Sequence, residues 1–119
     1  GVQIHGHVPD LQPWLDGCRV SVAPLRYGAG VKGKVNQAMA NGLPVVATTA
    51  AVEGMHLRES LDVLVADDAT DFAEAVLRLH RDAALWSTIA ANGRGNVSRH
   101  FSMDAARDTV RALFLSGPR

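Results

Sequence analysis

Three short runs, Val20–Pro24, Pro44–Thr48 and Asp62–Ala66, are dominated by apolar residues, and stretches of helical periodicity separate them. That alternation restricts the fold more than any other feature of the chain. A strand buried on one face alternates apolar and polar residues, whereas a strand covered on both faces reads as a continuous apolar run. Helices between such strands supply both the cover and the crossover that parallel pairing requires. A further strand-like run, Val2–His5, opens the chain. The pattern predicts an α/β fold with a parallel sheet of about four strands, in the order 1-2-3-4.

Turn and cap signals divide the rest. Asp10 can cap a short helix through Leu15, with Pro13 in its first turn and Gly17 closing it. Val35, Ala38 and Met39 sit at helical spacing in Val35–Asn41, which Gly42 ends. Asp68 or Thr70 caps Phe72–His80, whose stripe is Phe72, Val76 and Leu79. The next helix runs from Asp82 to about Asn92 and is weakened toward His100 by Gly93 and Gly95. Ser102 caps a last helix, Met103–Leu115.

A chain of 119 residues is one domain. Its 12 Lys plus Arg balance 12 Asp plus Glu, so bulk charge points neither to nucleic acid nor to an acidic partner. The arginines Arg94, Arg99, Arg107 and Arg111 are scattered along the last helices and read as a solvated face. No apolar run approaches the roughly 20 residues that span a bilayer. The abrupt start inside a strand-like run leads us to expect a piece of a longer protein. The single cysteine, Cys18, has no internal disulfide partner, which fits a reducing, cytoplasmic setting. Its place before a strand predicts a buried, inert thiol.

Leu25 to Ala40, LRYGAGVKGKVNQAMA, holds three glycines and both lysines of the chain. A glycine-rich turn between strand and helix lets backbone N–H groups approach a ligand, and the helix N-terminus adds partial positive charge. Lys32 and Lys34 lie where the helix dipole disfavours cations by about 0.3–1 kcal/mol each. An anion in the turn would make that arrangement favourable. No acidic residue lies between Asp16 and Glu53, while Arg19, Arg26, Lys32 and Lys34 do. The turn is thus a candidate phosphate or diphosphate site at the carboxyl end of a strand, where ligands of parallel sheets bind.

Other readings of the turn stay open on the residues alone. Gly28-x-x-x-x-Gly33-Lys34 fits the first seven positions of a nucleotide-triphosphatase P-loop, with DVLVADD (Asp62–Asp68) as its acidic strand. Position 35 is Val, however, where that loop needs a hydroxyl for magnesium. A third reading is a stand-alone α/β interaction domain without catalysis.

Longer motifs carry a resemblance. In order, they are G-x-V-x-D-L from Gly6 to Leu11, a strand ending in Pro24, GAGVKGK, QAMANGLPVVAT from Gln37 to Thr48, Glu53-Gly54 and DVLVADD. Together they resemble the carboxyl-terminal, donor-binding domain of a retaining glycosyltransferase of GT-B architecture, group 1 or family 4. The resemblance implies a Rossmann-like domain that grips a nucleoside-diphosphate sugar. It places backbone groups of Ala29, Gly30 and Val31 against sugar and diphosphate, and Lys32 or Lys34 against phosphate. Gln37 would face the ribose, and Val8 and Pro9 the nucleobase. Tyr27 and Gly28 border the turn, and Glu53 reaches for a sugar hydroxyl. The family commonly carries two glutamates eight positions apart here; Ala29 and Gln37 stand in those places. An amide still donates and accepts hydrogen bonds, whereas a methyl group does neither.

The resembled domain has two more strand–helix units before Val2–His5, and a separate amino-terminal domain holds the acceptor. The expectation is therefore that this chain alone binds donor weakly and transfers nothing. Its partners would be the donor and that acceptor domain, with the parent enzyme cytoplasmic or membrane-peripheral. The Val20–Pro24 strand would pair with Val2–His5 or, through its exposed edge, with a second copy. No metal or other cofactor is expected, because cations and a helix dipole can carry the diphosphate charge. His5, His7, His56, His80 and His100 lack ligand spacing, Asp67-Asp68 reads as a turn and cap, and Trp14 and Trp86 as packing residues.

Overall fold

The computed structural model describes residues 2–6, 8–27 and 33–100. Three strands, β1 (Ser21–Ala23), β2 (Val45–Ala47) and β3 (Leu64–Val65), pair in parallel in the order β1-β2-β3. The helices are α1 (Gln12–Gly17), α2 (Gly33–Ala40), α3 (Thr49–Val52), α4 (Ala69–Arg81) and α5 (Ala83–His100). The architecture is α/β, a parallel three-stranded sheet flanked by helices.

The continuous apolar runs have the expected cause. Successive side chains of a strand point to opposite faces, and both faces of β2 are covered. Val45 and Ala47 join Val35, Ala38, Met39, Ala51, Met55 and Val63 in one core cluster. Val46 and Leu64 enter a second cluster with Ala75, Leu79 and Ile89. The first cluster is closed by α2 and the second by α4 and α5. All of β2 is buried. Full burial of Leu79 or Ile89 contributes about 1.5–3 kcal/mol each.

The first expected strand is not one. Val2–His5 pairs with nothing in the sheet, and Val2 and Ile4 are each 92% exposed. A β-prone segment becomes a strand only when a neighbour takes its backbone groups. Here the His5 ring lies 4.1 Å from that of Trp14 on α1 instead. The outer edge of β1 consequently has no strand beside it among the described residues, and Val22 is half exposed.

Helix ends follow the sequence more closely. After α2, Gly42 takes φ +73°; its N–H donates to the Met39 carbonyl and that of Leu43 to the Ala38 carbonyl. This paired closure needs a left-handed residue, which glycine supplies without strain. Asp68 caps α4 by accepting from the Asp71 N–H at 2.8 Å. Asp10 acts one residue earlier than a cap should: it accepts from the Gln12 N–H, and Leu11 is the cap. The helix expected from Asp82 continues unbroken through Gly93 and Gly95 to His100.

Side-chain donors on α5 tie it to the rest. Trp86 Nε1 donates to the Arg19 carbonyl at 2.8 Å, Asn92 Nδ2 to Leu61 at 2.7 Å, and buried Asn96 to Met55 at 3.2 Å. Trp86 therefore packs as expected. Cys18 does not; it is exposed, because α1 ends beside it and leaves it outside the core. The expected helix Met103–Leu115 and its Ser102 cap lie outside the described residues. Among the described residues no helix is long and apolar enough to cross a membrane.

Candidate functional site

The carboxyl ends of the three strands lie side by side. Ala23 pairs with Ala47 and Ala47 with Val65, so the residues that follow, from Pro24, Thr48 and Ala66 on, form one edge. From it rises α2, whose first turn carries Lys34 and no acid. The first backbone N–H groups of a helix have no partner within the helix and carry partial positive charge. Lys34 is exposed and borders a hollow of about 400 Å³ with Val22, Ala23, Pro24, Leu25, Gly33 and Val35. Exposed Gln37 follows three residues later, close enough on the helix surface to share a ligand with Lys34.

The remaining expected residues are distributed unevenly. Tyr27 is 87% exposed in the segment that follows β1. Gly28, Ala29, Gly30, Val31 and Lys32 lie outside the described residues. Half-buried Val8 and exposed Pro9 precede α1 and border none of the hollows at this edge. Gln12, just beyond them, donates to Asn41 at 2.6 Å, and Asn41 is at the far end of α2 from Lys34. Seven residues of helix separate those two positions, about 10 Å. Glu53 ends α3 and is exposed, also away from the hollows. The structure thus joins Lys34 with the β1 exit and brings neither Val8, Pro9 nor Glu53 to it.

Other residues at the edge were not among the expected donor-binding residues. Arg26, Thr48 and Asp67 border two further hollows, of about 370 and 530 Å³. Thr48 Oγ1 donates to the Leu25 carbonyl. The Asp67 carboxylate accepts from the Thr49 N–H at 2.9 Å and from Thr49 Oγ1 at 2.7 Å. Those two bonds, the backbone one first, hold Asp67 below the usual carboxylate range. Asp68 is lowered likewise by the Asp71 N–H, and Asp71 is raised by its hydrogen bond to and the charge of Asp68. The expected reading of Asp67-Asp68 as turn and cap therefore holds. The available signal was positional: Thr48 and Asp67 each follow the last apolar residue of their run, as Pro24 does, and Thr49 comes next.

Val35, the position a P-loop would give to a hydroxyl, is 4% exposed and part of the core. It cannot serve a metal ion, and the Asp67 carboxylate is already engaged by Thr49. Among the described residues no group of three His, Cys, Asp or Glu side chains converges. What the edge offers is a helix N-terminus, the cations Lys34 and Arg26, and hydroxyl and amide groups within the same neighbourhood.

Comparison with known proteins narrows the reading. The chain is 28% identical over 92 residues to an uncharacterized 44.6 kDa protein in the cps region of Klebsiella pneumoniae, a match covering 77% of this chain and 24% of that protein. A solved structure of sucrose-phosphate synthase from Thermosynechococcus elongatus superposes with a TM-score of 0.73 at 27% identity, over 89% of this chain and 28% of that one. That likeness identifies the fold as the GT-B glycosyltransferase type. The chain spans about a quarter of the length of each of these relatives. Residues 1–82 match the sequence model of the glycosyl transferases group 1, and the chain belongs to that family.

Proposed function

We propose that the chain is the donor-binding part of a glycosyltransferase and holds a nucleoside-diphosphate sugar across the carboxyl edge of its sheet. The observation that carries this reading is the first turn of α2. It is cationic, free of acid, placed at the β1 exit, and bordered by a hollow of about 400 Å³. Its N–H groups and Lys34 neutralise the diphosphate, which is the leaving group when the sugar is transferred. Gln37 hydrogen-bonds ribose hydroxyls. Departure of the diphosphate leaves positive charge on the sugar, and the acceptor attacks with the anomeric configuration retained. The acceptor site belongs to another domain of a longer cytoplasmic protein, so the 119-residue chain binds donor weakly and transfers nothing by itself. No metal ion takes part.

Titration of the chain with UDP, GDP and ATP, with and without magnesium, tests this. Binding of a nucleoside diphosphate that ignores magnesium and is lost in Lys34→Ala is the expected outcome. Binding confined to ATP and strictly dependent on magnesium would sink it.

A further inference from the structure

The hollow beside Lys34 has a wall made by Leu25, the residue at which the chain leaves the sheet toward the glycine turn. The position of that wall is set from the neighbouring strand ends. Thr48 Oγ1 donates to the Leu25 carbonyl, across 23 residues of sequence. The adjacent Thr49 gives its N–H and its hydroxyl to the Asp67 carboxylate, at 2.9 and 2.7 Å, across 18 residues. Consecutive residues after β2 thereby reach the exits of β1 and β3, and three side-chain hydrogen bonds span the whole carboxyl edge.

We propose that Thr48, Thr49 and Asp67 are positioning residues for the donor site: by fastening Leu25 to the ends of β2 and β3 they fix the wall against which Lys34 and the first turn of α2 receive the diphosphate. This rests on the proposed function and adds to it a set of residues that need not touch the donor. The chemistry favours the assignment. The Leu25 carbonyl lies at an exposed loop exit, where water satisfies it equally well, so the bond to Thr48 contributes little to folding compared with the order it imposes on the loop. A carboxylate that accepts from both the N–H and the hydroxyl of one threonine holds that residue in a single rotamer. Preorganisation of this kind strengthens binding by removing the ordering that the ligand would otherwise have to impose.

The test uses the 119-residue chain with UDP and GDP as probes, together with amide exchange at Arg26, Tyr27 and Lys34. Thr48→Val keeps the shape and removes the donor; Thr48→Ser keeps the donor. The expected result is nucleotide binding weakened roughly fivefold in Thr48→Val, the share that one ordinary hydrogen bond holds, with near-native binding in Thr48→Ser. Exchange at the three amides rises in Thr48→Val and not in Thr48→Ser. Equal affinity and unchanged exchange in Thr48→Val overturn the proposal, as does equal weakening in both variants. If Thr48→Val does not fold, Thr49→Ala takes its place, since it deletes one exposed hydroxyl and keeps the backbone bond to Asp67; unchanged affinity and exchange there overturn the proposal too. Absence of nucleotide binding in the unsubstituted chain is a failure of the functional reading instead, and the exchange measurement still decides whether the fastening exists.

Discussion

Asp62 is the residue whose burial most exceeds what its chemistry favours. It is 1% exposed, and the carboxylate is held by three donors of one residue: the Arg58 backbone N–H at 2.8 Å, Nε at 3.1 Å and Nη2 at 3.0 Å. Burial alone would raise its pKa; the hydrogen bonds from Arg58 and the charges of Arg58 and Arg99 outweigh that and hold it below the ordinary value. A depressed carboxylate stabilises the fold at every pH above its unfolded value, about 3.9, and that contribution disappears as pH falls through the folded value. Asp62→Asn sets an amide N–H against a donor and is expected to lose about 1–3 kcal/mol at pH 7, read from the denaturant midpoint. The difference between the two proteins should stay constant from pH 8 to about pH 5 and shrink below pH 4; a constant difference down to pH 2 would show that the charge is not the cause. Nothing local in Asp62–Ala66 announced this pairing. The sequence marked Asp62 as the opening of a strand, and the bidentate contact depends on a turn between Arg58 and Asp62 that brings the guanidinium back over the carboxylate. Cys18 was misread for the complementary reason, since its burial depended on how α1 meets the sheet and not on its own neighbours.

At the scale of elements, glycines separate what is legible locally from what is tertiary. Gly42 could be read as the end of α2 because a left-handed closure is a local requirement. A side chain there would also meet the Arg94 guanidinium, so Gly42→Ala is expected to destabilise by about 1–2 kcal/mol. Gly93 and Gly95 look alike in sequence, and both seemed to weaken α5. They differ in what lies beside them. A Cβ at Gly93 would stand 3.2 Å from Met39 Cγ and 3.6 Å from the Asp62 carbonyl, so this glycine is the contact that lets α5 approach α2. Among the described residues, a Cβ at Gly95 would meet only the end of Arg99, at 3.6 Å. Gly95→Ala should therefore stabilise the chain by about 0.5–1 kcal/mol through helix propensity alone, whereas Gly93→Leu should unfold it or open the α2–α5 contact. Paired thermal melts of the two variants check this, and a loss of stability in Gly95→Ala would refute the distinction. Strand type was legible for β2 and β3 because two-sided burial writes itself into composition; β1 has the same apolar run although Val22 is half exposed. Val2–His5 alternates apolar and polar residues, the pattern of a strand buried on one face, yet has no partner among the described strands, which local pattern does not encode.

For the whole molecule, the proposed donor site predicts that ligand and fold are linked through one lysine whose two effects have opposite signs. The described elements that build the edge were readable in order: apolar strand, amphipathic helix, apolar strand. The bonds that fasten the edge were not, because Thr48, Thr49 and Asp67 meet only once the three strands are in register. Lys34 is exposed and stands in the first turn of α2, where a cation opposes the helix dipole by about 0.3–1 kcal/mol. Without nucleotide, removing that charge should leave the unfolding temperature unchanged or slightly higher. With nucleotide present the same change should act the other way. A ligand that binds only the folded chain stabilises it by RT ln(1 + [L]/Kd), about 1.4 kcal/mol at ten times Kd, which is roughly 5 °C for a domain of this size. Lys34→Ala is expected to lose most of that increment at the same UDP or GDP concentration while gaining or holding its ligand-free midpoint. Raising ionic strength should shrink the increment of the unsubstituted chain toward that of the variant, since the contact is a charged one at an exposed edge. A Lys34→Ala protein that melts lower without ligand and keeps the full nucleotide shift would mean that this lysine serves the helix and that the diphosphate is held elsewhere.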